Sequence, residues 1–446
     1  MTQLDRATSL PGYFKSPWPV ECGGNRRQKA AIGGLWVNEG KAHVTTRRDD
    51  RWHVMAIRRG PGEIFIGGTT PAWSGPEPYG WLQRVDIATL EPLSESPPLP
   101  TGGHVWCGAI AAHSNGDLYK VNGCYMHRLA PDCRVVRERR LPVDQAHNGL
   151  LILSDGTIIT KDLRLADQGK STITRLSADN LEIIDEPFLL PEGSMGRIAS
   201  DKTMEGEFIY VPGIEHLWRI KVEPDRLSLD QTWCPKYRDQ NGNQGLSWDG
   251  CISDGNLWIM DNGDIDSLRA IYSVHPNGRF EAPSNRLSWR RPAPWTGPQR
   301  LLKVSLNSGH ISEISPFGKP GGGIIAPPVF IPEFKTCIVW DSINGGLAGI
   351  RDEESGLETA WSMNARPSMQ PVVFPDSGEL IINDFQDNED YLIVVDIKSG
   401  KLLDRVKTGS HLANGMFLTP GGDRDIFYCS TFAVARVQWR SRTEIY

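Results

Sequence analysis

Side chains capable of chemistry recur in this chain at one kind of place, the few residues that open a short apolar run or stand just before it. They are His53, His104 with Trp106, His147 with Asn148, Arg197, Trp248 with Asp249, Gln370, and His411 with Asn414. Imidazole is a common transition-metal ligand and a base near neutral pH, so His104, His147 and His411 are candidate catalytic groups. Arg197 is the candidate for steadying an anion that develops during reaction. The side-chain oxygens of Asn148, Asp249 and Asn414 suit Ca2+ or another divalent metal. Trp106, Trp248, Gln370 and His53 are then expected to touch a small-molecule substrate. The plainer alternative is a polar wall that holds water.

Other reactive residue types have ordinary explanations. His43, His113, His127, His216, His275 and His310 fall in strands or turns away from these positions and read as satisfied or surface groups. Asp155, Asp254 and Asp376 stand where turn chemistry wants an aspartate. No GxSxG elbow, phosphate-binding glycine loop or HExxH pair is present, so the enzyme classes built on them receive no support.

A repeat must position the candidates. A short alternating strand, a polar turn and a second strand recur as WLQRVDIATLEPL from Trp81, YMHRLAPDCRVV from Tyr125 and TITRLSADNLEII from Thr172. The same unit returns as LWRIKVEPDRLSL from Leu217, LLKVSLNSGHISEI from Leu301 and LAGIRDEESGLETAW from Leu347. LIVVDIKSGKLLDRV from Leu392 and VARVQWRSRTEIY from Val434 complete the set. Most copies are roughly 40 to 50 residues apart, the period of a four-stranded propeller blade. A second strand pair precedes most of them, as in GAIAAHSNGDLYKV (108–121), GLLILSDGTIITKD (149–162) and GCISDGNLWIMD (250–261). Two hairpins per period make four antiparallel strands, and such a sheet buries its faces only against neighbours of its own kind.

The expected fold is therefore all-β, a single β-propeller of eight four-stranded blades, with seven blades the alternative. A sandwich or two smaller domains would need a linker-like break, and none occurs after about Trp52. Residues 1–50 read as an extension whose strand candidates, GLWVNE and KAHVTT, would pair with the last blade and close the ring; 51–446 is the propeller. Two insertions, 69–80 and 262–299, are rich in proline and aromatics and are expected to cap the channel.

Composition narrows the function classes. The formal net charge is −6 and no basic stripe occurs, which disfavours nucleic acid as a partner. No apolar run reaches the length of a membrane span, and the N-terminus lacks an apolar signal region, so a cytoplasmic location is expected. The eight cysteines form no CxxC pair and read as reduced thiols. Oligomeric state is left open.

HNGLLILSDGTIITKD and ANGMFLTPGGDRDIFYCS resemble the Asn-Gly repeats of gluconolactonase and strictosidine-synthase-like propellers. That resemblance implies a central Ca2+ on Asn148 and Asn414, with Asp249 a plausible third ligand. YLIVVDIKSGKLLDRVKTGS resembles repeats of quinoprotein propellers, but their tryptophan-docking pattern is missing, so no quinone is expected. Three functions stay open. One is metal-assisted hydrolysis of a lactone or ester at the channel mouth. Another uses the same site for redox chemistry on metal-bound histidines, similar in geometry to carotenoid-oxygenase-like propellers, or for metal-free lyase or isomerase chemistry. The last is a non-catalytic interaction propeller.

Overall fold

Alternating apolar residues make each short strand two-faced, and Asp, Asn and Gly at the turns let the chain reverse every few residues. The computed structural model describes residues 11–70, 77–104, 106–164, 169–238, 247–263, 297–387, 389–410 and 417–441. Six sheets are four-stranded antiparallel meanders in chain order. Their innermost strands are Cys107–Ala112, His147–Ile152, Ala199–Thr203, Ser247–Ser253, Val329–Ile331 and Val372–Phe374.

The seventh sheet has seven strands and contains two more blades. Strand Gly40–Arg58 has two arms: 40–48 pairs with 433–441, and 52–58 pairs with 64–69. Strand Asp425–Ser441 also has two arms, meeting at Phe432, whose φ is 64°. The Trp439 N–H donates to Arg424 O across that fold, and the first arm pairs with Phe417–Pro420. Blade one is thus 52–58 with the three strands that follow it, and blade eight is Phe417–Pro420, the two arms of 425–441, and 40–48 from the N-terminal part. The ring has eight blades. VARVQWRSRTEIY is accordingly not a self-contained hairpin: its outer partner is 40–48.

The two sides of the long gap in the repeat belong to one blade. Strands Asn256–Asp261 and Arg300–Ser305 pair in register from Asn256↔Ser305 to Asp261↔Arg300, neighbours within blade five. Of the insertions expected to cap the channel, half of the first, 71–76, and most of the second, 264–296, lie outside the described residues.

Burial between blades holds the ring. Trp258 of blade five stacks on Phe330 of blade six at 4.3 Å and 8°, within an apolar cluster that runs on into blade seven. Such a pair contributes about 0.5–1.5 kcal/mol beyond its buried area. All eight cysteines are free, seven of them buried. Among the described residues no helix is long and apolar enough to cross a membrane.

Residues 11–39 form a strap across one end of the channel. The Phe14 N–H donates to Ala112 O in blade two, and Ser200 and Ile252 donate to Asn25 O and Arg26 O from blades four and five. Lys29 and Ala31 exchange backbone bonds with Val373 in blade seven. The Glu379 carboxylate accepts from the N–H groups of Leu35, Trp36 and Val37. Ala112 and Ile252 lie at or next to the downstream ends of their blades' inner strands, and Glu379 lies beyond that of blade seven. The opposite end is the mouth.

Candidate functional site at the channel mouth

The innermost strands begin at the mouth, so their first residues form a ring. Trp52, Trp106, Met195, Trp248, Ile325 and Phe417, from six different blades, belong to one buried apolar cluster together with Cys22 of the strap. Asn148 and Gln370 take the corresponding places in blades three and seven. The Asn148 Oδ1 accepts from Trp106 Nε1 at 3.1 Å, and its Nδ2 donates to Met195 O at 3.0 Å. The Cys22 thiol donates to Gln370 Oε1 at 2.8 Å, and burial pushes that thiol up to about 11.

Inside this ring lies a neutral quartet of charges. Arg27 contacts Glu21 at 2.7 Å and Asp249 at 2.9 Å; Arg197 lies 3.1 Å from Glu21 and 3.7 Å from Asp249. All four side chains are buried. The Arg197 guanidinium also sits 5.8 Å from the Trp106 ring centre and 5.1 Å from that of Phe417. Its Nη2 is buried and has no hydrogen-bond partner among the described residues.

The structure therefore brings Arg197, Asp249, Trp106, Asn148 and Trp248 to one place and supplies Glu21, Cys22 and Arg27 from the strap. Sequence reasoning missed those three, because nothing periodic marks a strap residue that points into a channel. Two of the three expected Ca2+ ligands, Asp249 and Asn148, already have protein partners. Two guanidinium groups hold the Asp249 carboxylate, and both functional groups of Asn148 are engaged. Asn414 and His411 lie outside the described residues.

The described histidines do not meet around one ion. His53 lies between blades one and eight, with Nδ1 at 3.2 Å from Ser430 O, Nε2 at 3.1 Å from Asp49, and its ring edge-on to Trp81. His104 lies at the rim, 3.1 Å from Asp144. His147 is fully buried with Nδ1 at 3.0 Å from Gln145 O, and its Nε2 has no hydrogen-bond partner among the described residues. Burial lowers its pKa to about 4, with Asp162 opposing the shift, so the ring is neutral at pH 7.

At the strap end, a cleft of about 80 Å³ is lined by residues such as Asn25, Arg26, Ser154 and Glu207. It is smaller than the roughly 150 Å³ that admits a benzene ring.

Fold and site together define an eight-bladed β-propeller with one end of its channel strapped. No family model matches the chain, and no curated protein sequence does. Solved structures do match. A europium-containing methanol dehydrogenase is 9% identical with a TM-score of 0.61, covering 97% of this chain and 98% of that one. The Dos1 propeller is 8% identical with a TM-score of 0.55, covering 88% and 94%. A streptogramin B lyase structure is 12% identical over 90% and 98%, with a TM-score of 0.45. At such identities the likeness shows the fold alone.

Proposed function

We propose that the chain is a small-molecule enzyme whose substrate enters the channel mouth and is held there by Arg197. The observation that carries this reading is the Nη2 of Arg197, a buried charged donor beside Trp106 and Phe417 that has no hydrogen-bond partner among the described residues. Leaving such a group unpaired costs on the order of 1–3 kcal/mol or more, a cost that a bound carboxylate or a developing oxyanion offsets. The reaction that suits this arrangement is hydrolysis or ring opening of a lactone or ester. In that reading water adds to the carbonyl carbon, Arg197 stabilises the oxyanion, and His147, neutral at pH 7, is assigned to take the proton from the water.

The test is acid release from a panel of aliphatic and aromatic lactones and esters. Arg197→Lys keeps the charge but loses the fork, and is expected to lower kcat/KM by about 100-fold or more, with a thermal melt to verify folding. If no substrate in the panel turns over, or if the folded lysine variant matches the parent, the reading fails.

A second reading, an interaction propeller, is favoured by the strap that fills one end of the channel. It ranks lower because the large exposed apolar residues are scattered. Leu93, Val136, Leu189 and Leu402 each sit on the outermost strand of a different blade and make no single patch.

A further inference from the structure

We infer that His104, Cys124 and Asp144 form a binding site for one Zn2+-class ion at the rim of the mouth. One donor atom from each lies within 4.8 Å of the other two. His104 Nε2 is 3.1 Å from Asp144 Oδ1, and Cys124 Sγ is 3.5 Å from the same oxygen. Ligand bonds of about 2.0–2.3 Å in a tetrahedral site place donors roughly 3.3–3.7 Å apart, so little movement is needed to seat an ion.

Three separate turns of blade two deliver the donors. His104 precedes strand Cys107–Ala112, Cys124 is in the turn between Leu118–Asn122 and Tyr125–Leu129, and Asp144 follows Val135–Arg140. Backbone bonds fix the first two: the Trp106 N–H donates to His104 O at 2.9 Å, the Cys124 N–H to Thr101 O at 3.1 Å, and the Leu141 N–H to Cys124 O at 2.8 Å. The thiol is buried, and Asp144 reaches it from the solvent side with a side chain 64% exposed.

The donor set selects the metal. One nitrogen, one sulfur and one oxygen suit a borderline ion, whereas Ca2+ wants six to eight oxygens. Three protein ligands leave a fourth position for water or a substrate atom. Arg140 lies 3.3 Å from Asp144 and competes for it, but its side chain is 57% exposed and can swing away.

This site does not depend on the lactonase reading, and the experiment separates them. The full chain, stripped by chelator, is titrated with Co2+. The expected result is one equivalent bound, with tetrahedral visible bands and a thiolate charge-transfer band in the near ultraviolet, all removed by Zn2+. Cys124→Ser abolishes the charge-transfer band, and Asp144→Asn, at an exposed position, weakens binding about 10-fold or more. Cys234→Ser and Arg197→Lys leave the spectrum unchanged, and Arg140→Ala strengthens binding. Absence of the bands in the parent, or their persistence in folded Cys124→Ser, overturns the assignment.

Discussion

Arg27 and Asp249, 222 positions apart in the chain, meet inside the propeller channel with 2.9 Å between guanidinium and carboxylate. Their contact joins the N-terminal strap to blade five, and with Glu21 and Arg197 it balances two positive against two negative side chains away from water. Removing one member of such a group leaves an uncompensated buried charge.

Glu21→Gln is therefore expected to destabilise the protein by about 3–5 kcal/mol. Denaturant unfolding measures this, and limited proteolysis should find the strap cut earlier than in the parent. A variant within about 0.5 kcal/mol of the parent, the range of a neutral surface change, would mean that the quartet does not hold the strap.

The His147 imidazole sets a dependence on acid. Its folded pKa, about 4, is below the ordinary 6.5, so the unfolded chain takes up the proton first. Stability is then complete above pH 6.5 and declines as the pH falls toward 4, by about 3 kcal/mol in all. His147→Gln should flatten that part of a plot of Tm against pH. Parallel curves for parent and variant would count against the assignment.

Ring closure rests on 40–48 lying along 433–441. Deleting the chain through residue 48 removes the strap and the outer strand together and bares the edge of blade eight. The expected outcome is a lower Tm and association through the open edge, seen by light scattering. Shortening the chain only through residue 38 removes the strap and spares the strand, so it should lower Tm without causing association. Equal association of the two truncations would refute the closing role of 40–48.

The architecture was legible because it is written locally. Each blade needs alternating strands and turn residues that appear within a dozen positions of one another, as in GLLILSDGTIITKD (149–162). The same periodicity places Trp106, Asn148, Arg197 and Trp248 at the starts of inner strands, and these residues do gather at the mouth. Their partners were not legible. Glu21, Cys22 and Arg27 sit in a strap without period, and Cys124 and Asp144 are ordinary turn residues until three loops bring them to His104.

Alone, then, the order of residues determines the kind of unit and that its copies must stack in a ring, because backbone pairing and side-chain alternation act over short spans of chain. Which charge neutralises which, and whether an aspartate is free to hold a cation, depends on groups hundreds of residues apart. Only the closed ring brings them within reach of one another, and burial there makes the choice of partner decisive.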